Sequence, residues 1–90
     1  MANKKDLNFE TKVIHAGQKS DPTTGAVMTP IVLASTFEQS SPGIHKGYDY
    51  SRSINPTREA FENCIASLEN GVKGYGFSSG VAAISACIEL

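Results

Sequence analysis

Ninety residues carrying nine acidic and eight basic side chains sit close to neutrality, without the clustered basic stripe that a nucleic-acid surface needs. The apolar share of 40% and charged share of 19% fit a folded chain rather than a disordered one, although burial at this length is marginal unless packing is good or a partner helps. No run is long and apolar enough to span a membrane, and no apolar signal core follows the polar residues 1–6, so cytoplasmic residence is expected.

The polar start extends to about Phe9, and residues 11–15 fit either a helical turn or an extended piece. Asp21-Pro22-Thr23-Thr24-Gly25 is a predicted turn, because Pro presets φ and Gly permits positive φ. Residues 30–37 are apolar and β-branched, consistent with a strand or an extended arm, and Ser40-Ser41-Pro42-Gly43 predicts a second turn. Residues 1–55 therefore form a loop-rich unit with little capacity for a core of its own. Such a segment must lie against the rest of its chain or against another subunit.

At Asn55 the pattern changes. Asn55-Pro56 reads as an N-cap followed by Pro at the first helical position, where its missing N–H costs nothing. Phe61, Cys64, Ile65 and Leu68 recur on one helix face, Glu59, Glu62 and Glu69 make the wet face, and Asn70-Gly71 supplies the stop. Residues 72–77 predict a short strand whose Gly74 and Gly76 suggest close approach by another backbone or a ligand. Ser78-Ser79-Gly80 breaks that strand, and a second helix is expected over residues 81–90. Helix, strand, tight turn and helix suggest an α/β domain with a mainly parallel sheet. The second helix is apolar nearly all round and reaches Leu90 without a stop signal, which suggests the opening segment of a larger protein.

Two stretches are candidates for chemistry. At Ser78-Ser79-Gly80, a helix N-terminus offers unpaired N–H groups suited to phosphate, although Ser79 acting as a simple cap explains the same residues. In Tyr48-Asp49-Tyr50-Ser51-Arg52-Ser53, the Arg fork and the Tyr phenol suit phosphate or carboxylate, against the plainer alternative of an exposed Arg52 paired with Asp49 and tyrosines packed on the body. The glycines at 74, 76 and 80 are spaced GxGxxxG rather than GxGxxG, so a nucleotide loop is a weak match. Arg58, in the first turn of the helix, either bonds Glu62 at i+4 or reaches toward a site, the structural role being preferred, while His15 is expected to pack or bond locally and His45 to be solvated. Cys64 and Cys87 are too far apart for a CxxC motif and are expected as buried free thiols, with no metal cluster in view.

The succession Ile14-His15-Ala16-Gly17-Gln18, Thr24-Gly25-Ala26-Val27-Met28-Thr29-Pro30-Ile31, Ser41-Pro42-Gly43, His45-Lys46-Gly47-Tyr48-Asp49-Tyr50-Ser51-Arg52 and Asn55-Pro56-Thr57-Arg58 resembles the start of the Cys/Met-metabolism enzymes dependent on pyridoxal 5'-phosphate (PLP). Within that family it is most similar to the cystathionine γ-lyases and γ-synthases. The resemblance runs from about Phe9 to Leu90 and implies an N-terminal arm, residues 1–55, that reaches a neighbouring subunit. Residues 56–90 would then begin a fold type I, aspartate aminotransferase-like domain in a homotetramer built as a dimer of dimers.

By the same resemblance Tyr50 and Arg52 hold the cofactor phosphate from the arm. Ser79, Gly80 and Val81 form the phosphate-binding turn, with Ser78 and Val81 standing where the family usually has Ala and Met. Ile54, where many relatives carry Gly, is a second small departure. The Schiff-base lysine, the aspartate facing the pyridine nitrogen, the ring-stacking tyrosine and the carboxylate-binding arginine would all lie beyond Leu90. No catalytic residue is thus expected within the chain, which alone should be inactive. The implied activity is γ-elimination of cystathionine to cysteine, 2-oxobutanoate and ammonia, with γ-replacement as the alternative and a small sulfur amino acid as substrate. Two readings from other classes are a non-catalytic chain that only associates with full-length subunits and, ranked last, a free-standing nucleotide-binding module.

Overall fold

The computed structural model describes residues 7–90, so the polar start at residues 1–6 lies outside the described residues. Five elements follow in order: α1 (Phe9–His15), β1 (Gln39–Ser41), β2 (Ile44–His45), α2 (Pro56–Leu68) and α3 (Gly80–Ile88). Residues 11–15 are therefore helical. α1 ends at Ala16, whose N–H still bonds to the Lys12 carbonyl, and the chain then turns at Gly17 with φ of 74°.

That turn lays α1 against α2. Ala16 is fully buried, and a Cβ built on Gly17 would stand 2.8 Å from the Ala60 carbonyl oxygen and 2.9 Å from the Cys64 nitrogen. Both the positive φ and the close approach require Gly here. Cys64, half-buried, points its thiol toward the Lys12 carbonyl at 3.8 Å, whereas Cys87 is exposed on α3, contrary to the expectation of two buried thiols.

Both expected turns form. Asp21 accepts from the Thr24 amide and hydroxyl at 3.0 and 2.6 Å, which holds its carboxyl below the usual range, and Gly25 follows with φ of 76°. Pro42-Gly43 closes an antiparallel hairpin in which Ser41 faces Ile44 and Gln39 faces His45, with an irregular register between. Residues 30–37 form no strand ladder; Thr36 makes an isolated antiparallel bridge to Tyr50.

α2 begins as expected: Asn55 is extended and its side-chain oxygen accepts from the Thr57 N–H at 2.9 Å, ahead of Pro56. It ends in a Schellman turn, with Gly71 N–H bonded to the Ala66 carbonyl at 2.7 Å and Asn70 N–H to Ser67 at 3.3 Å. The left-handed residue is Asn70, φ 55°, and not Gly71. α3 is capped by Ser79, whose hydroxyl oxygen accepts from the Ala82 N–H at 3.1 Å.

The predicted strand over residues 72–77 does not form a ladder, and the hairpin is the one sheet among the described residues, two-stranded and antiparallel rather than mainly parallel. A strand exists only through its neighbours, and among the described residues none lies beside residues 72–77. Their glycines instead let the segment pack on α2: a Cβ at Gly74 would overlap the Glu62 carbonyl oxygen.

Little of this is core. Among the described residues Ala16 and Ala66 are the buried apolar side chains, Asn55 is the buried polar one, and no large side chain is fully buried. The Cα radius of gyration is 15.1 Å, against about 12 Å for a compact domain of this length. Val81, Ile84 and Ile88 leave the α3 surface apolar and exposed.

Replacing Gly17 with Ala combines a disfavoured φ with a backbone clash. The expected loss is about 1–3 kcal/mol of stability, read as a lowered midpoint in thermal unfolding.

Candidate functional site

The site candidates begin with the turn that joins the arm to α2. Ser51 N–H donates to the Ser35 carbonyl at 2.8 Å and Phe37 N–H to the Asp49 carbonyl at 3.2 Å, so the stretch around Tyr50 lies beside the extended arm. Residues 51–53 then form a tight turn closed by Ser53 and Ile54 N–H groups on the Tyr50 carbonyl, both at 3.0 Å. Tyr50 and Arg52 project from this turn and are both exposed.

Arg52 Nη2 donates to the Tyr50 phenol oxygen at 3.1 Å, and the guanidinium carbon lies 5.2 Å from the Tyr50 ring centroid. The phenol oxygen thus accepts and keeps its own proton to give. Asp49 is not the partner of Arg52; its carboxylate caps the Tyr50 N–H at 2.8 Å. The remaining guanidinium N–H groups have no partner among the described residues, which leaves the planar fork available for an anion.

The second group of donors lies at the start of α3. The Ser79 cap takes up the Ala82 N–H, and the Ser79 carbonyl takes the Ala83 N–H at 3.2 Å. The N–H groups of Gly80 and Val81 bond to nothing among the described residues, as the first turn of a helix requires. A Cβ built on Gly80 meets no atom within 4 Å beyond its chain neighbours and its own helix, so the space beside the helix start is open there. The Ser79 hydroxyl accepts in the cap and retains a proton to donate. Two free amides, a hydroxyl and the positive end of a helix suit a phosphate. The Val81 contribution is a backbone one and does not depend on its side chain.

No hydrogen bond joins Tyr50 or Arg52 to Ser79, Gly80 or Val81 among the described residues. Arg52 instead borders an open cleft of about 460 Å³ whose far wall runs through Gly74 and Gly76 to Phe77.

The residues that hold the first group in place carry no local sign of that role in the sequence. Asn55, buried, donates to the Val32 carbonyl at 3.2 Å and the Ser51 hydroxyl at 3.1 Å while it caps α2. Thr57 donates to the Pro30 carbonyl and accepts from the Val32 N–H, both at 2.8 Å. Arg58 does meet Glu62, at 3.8 Å, but its guanidinium also donates to the carbonyls of residues 51–53. The Asn-Pro-Thr-Arg run was visible as a helix start; its role as an anchor for the arm had no local signal. His45 accepts from the Gly47 N–H at 3.1 Å and is otherwise exposed.

A family model for Cys/Met metabolism PLP-dependent enzymes matches residues 10–90. The chain belongs to this family. It is 60% identical over 88 residues to a cystathionine β-lyase from Coxiella burnetii, covering 98% of this chain and 23% of that protein. It is 50% identical over 91 residues to a cystathionine γ-lyase from Dictyostelium discoideum, covering 100% of this chain and 24% of that protein. Among solved structures, metB from Corynebacterium glutamicum superposes with a TM-score of 0.92 at 39% identity, over 98% of this chain and 23% of that one. The chain thus spans about a quarter of the length of the curated relatives it matches. PLP is the cofactor of the family, and both donor groups fit its phosphate: an open fork beside a phenol, and two unspent amides beside a hydroxyl.

A tie between arm and helix yields a pH prediction. Tyr48 donates its phenol proton to Glu59 of α2, which raises its pKa above the ordinary tyrosine value, with desolvation adding to the rise. A raised folded-state pKa contributes stability that is complete below the unfolded pKa and disappears as pH climbs through the folded one. In alkaline titration followed by phenolate absorbance, one phenol should ionise late, and Tyr48→Phe should remove that step. The stability advantage of wild type over Tyr48→Phe should vanish across the same alkaline range.

Proposed function

We propose that this chain is the N-terminal quarter of a PLP-dependent enzyme of sulfur amino-acid metabolism, and that it supplies donors for the cofactor phosphate. The observation that carries the reading is the exposed Tyr50–Arg52 pair, held with a free guanidinium fork on a turn anchored to α2. The unspent Gly80 and Val81 amides beside Ser79 form the complementary group on α3.

That no hydrogen bond joins the two groups among the described residues supports an arm, residues 1–55, that reaches a neighbouring subunit. Tyr50 and Arg52 would then serve that subunit's cofactor, while Ser79, Gly80 and Val81, in the domain begun by residues 56–90, serve their own. The homotetramer and the fold type I architecture follow from the same reading. In that fuller domain residues 72–77 would pair as a strand of a parallel sheet, and the exposed apolar surface of α3 would be covered.

For the substrate we propose cystathionine, cleaved at a carbon–sulfur bond. The γ-lyase reading yields cysteine, 2-oxobutanoate and ammonia, and a β-lyase would release pyruvate instead, so the oxo acid identifies the bond broken. PLP, when bound, acts as the electron sink for the amino-acid substrate. The residues of this chain bind and orient: Arg52 offers paired charge-assisted bonds, Tyr50 a phenol proton, and the α3 start fixed amide dipoles.

The test is cofactor retention in the longer protein. Arg52→Ala should cost about 1.5–3 kcal/mol of PLP binding, measured by titrating apoenzyme. Unchanged affinity would defeat the role given to Arg52.

A further inference from the structure

The Tyr50–Arg52 turn and the run leading to Ser79 do not touch each other's donors, yet both are fastened to the same face of α2 by two side chains. Arg58 Nη2 donates to the Ser53 carbonyl at 2.6 Å, and Nη1 donates to those of Arg52 at 3.3 Å and Ser51 at 3.4 Å. All three acceptors belong to the turn that presents Tyr50 and Arg52. Arg58 Nε is shielded from solvent without a hydrogen-bond partner and faces Glu62 Oε2 at 3.8 Å. The same Glu62 oxygen accepts from the Gly76 N–H at 2.6 Å, three residues before Ser79. Gly74 closes against the Glu62 carbonyl so tightly that no Cβ fits, which keeps the run from shifting along the helix.

We propose that Arg58 and Glu62 are positioning residues for the cofactor phosphate, a clamp that presets the Tyr50–Arg52 turn and the run into Ser79 from one helix face. This rests on the phosphate role given above to Tyr50, Arg52 and the α3 start. The residue types suit the task. Only a planar guanidinium reaches several carbonyls of one turn while a further nitrogen faces a carboxylate, and a carboxylate can accept from a backbone amide and face that cation at once. Neither side chain needs to touch the phosphate.

The experiment compares PLP with pyridoxal, which lacks the phosphate, in titrations of the longer apoprotein. Arg58→Ala should lose about tenfold or more in PLP affinity, the scale of a misplaced charge-assisted bond, while pyridoxal affinity stays unchanged. Arg58→Lys and Glu62→Gln should show the same selective loss to a smaller degree, and they decide the matter if Arg58→Ala does not fold. Equal losses for both cofactors would mean a merely structural role, and a wild-type preference for PLP in all variants would mean no role. Either result overturns the clamp. Arg52→Ala, run in parallel, separates the two readings. If it too leaves the preference for PLP unchanged, the phosphate role itself fails and the clamp with it. If it lowers that preference and the Arg58 and Glu62 variants do not, the clamp alone fails.

Discussion

The arm segment over residues 30–37 forms neither helix nor ladder beyond the single Thr36–Tyr50 bridge, so its backbone N–H and C=O groups take their partners from elsewhere. Here the first turn of α2 supplies them. Asn55, Thr57 and Arg58 bond to the backbone of Pro30, Val32, Ser51, Arg52 and Ser53, side chain against main chain, at distances from 2.6 to 3.4 Å. The helix start is thereby both a cap and a hub. Without it, the Tyr50–Arg52 pair would sit on a loop free to take many conformations.

The hub also explains how a chain with so little buried apolar surface holds its donors in place. Polar bonds of this kind contribute modestly one by one, about 0.5–1.5 kcal/mol each, but they specify geometry more sharply than apolar contact does. The close seating of Gly17 and Gly74 on α2 adds steric definition. What remains apolar and exposed, above all on α3, agrees with a chain that spans about a quarter of the relatives it matches.

The elements that sequence reasoning placed well are those governed by neighbours in the chain. The Asn55 cap, Pro56 at the first helical position, the Ser79 cap and the turns at Asp21 and Pro42-Gly43 all depend on residues within a few positions. The elements it misplaced depend on distant partners. Residues 72–77 look like a strand locally, but strand formation is a property of a pair. The hairpin at residues 39–45 has no clear signal in the sequence, because its strands are three and two residues long and carry a single apolar residue, Ile44. Helix periodicity pairs Arg58 with Glu62, as the structure has it, while its larger engagement with the carbonyls of residues 51–53 lies outside that periodicity altogether.

The amino-acid sequence by itself determined where α2 and α3 begin, where α2 stops, which residues offer donors to an anion, and the family to which the chain belongs. These follow from cap chemistry, the restriction of φ at Pro and Gly, and motif order along the chain. Only the tertiary structure decided that the Tyr50–Arg52 turn is gripped from α2 by Arg58, that Glu62 holds Gly76 from the same face, and that Asn70 rather than Gly71 takes the left-handed conformation. Such arrangements arise from bonds between segments separated in sequence, whose geometry no local pattern encodes.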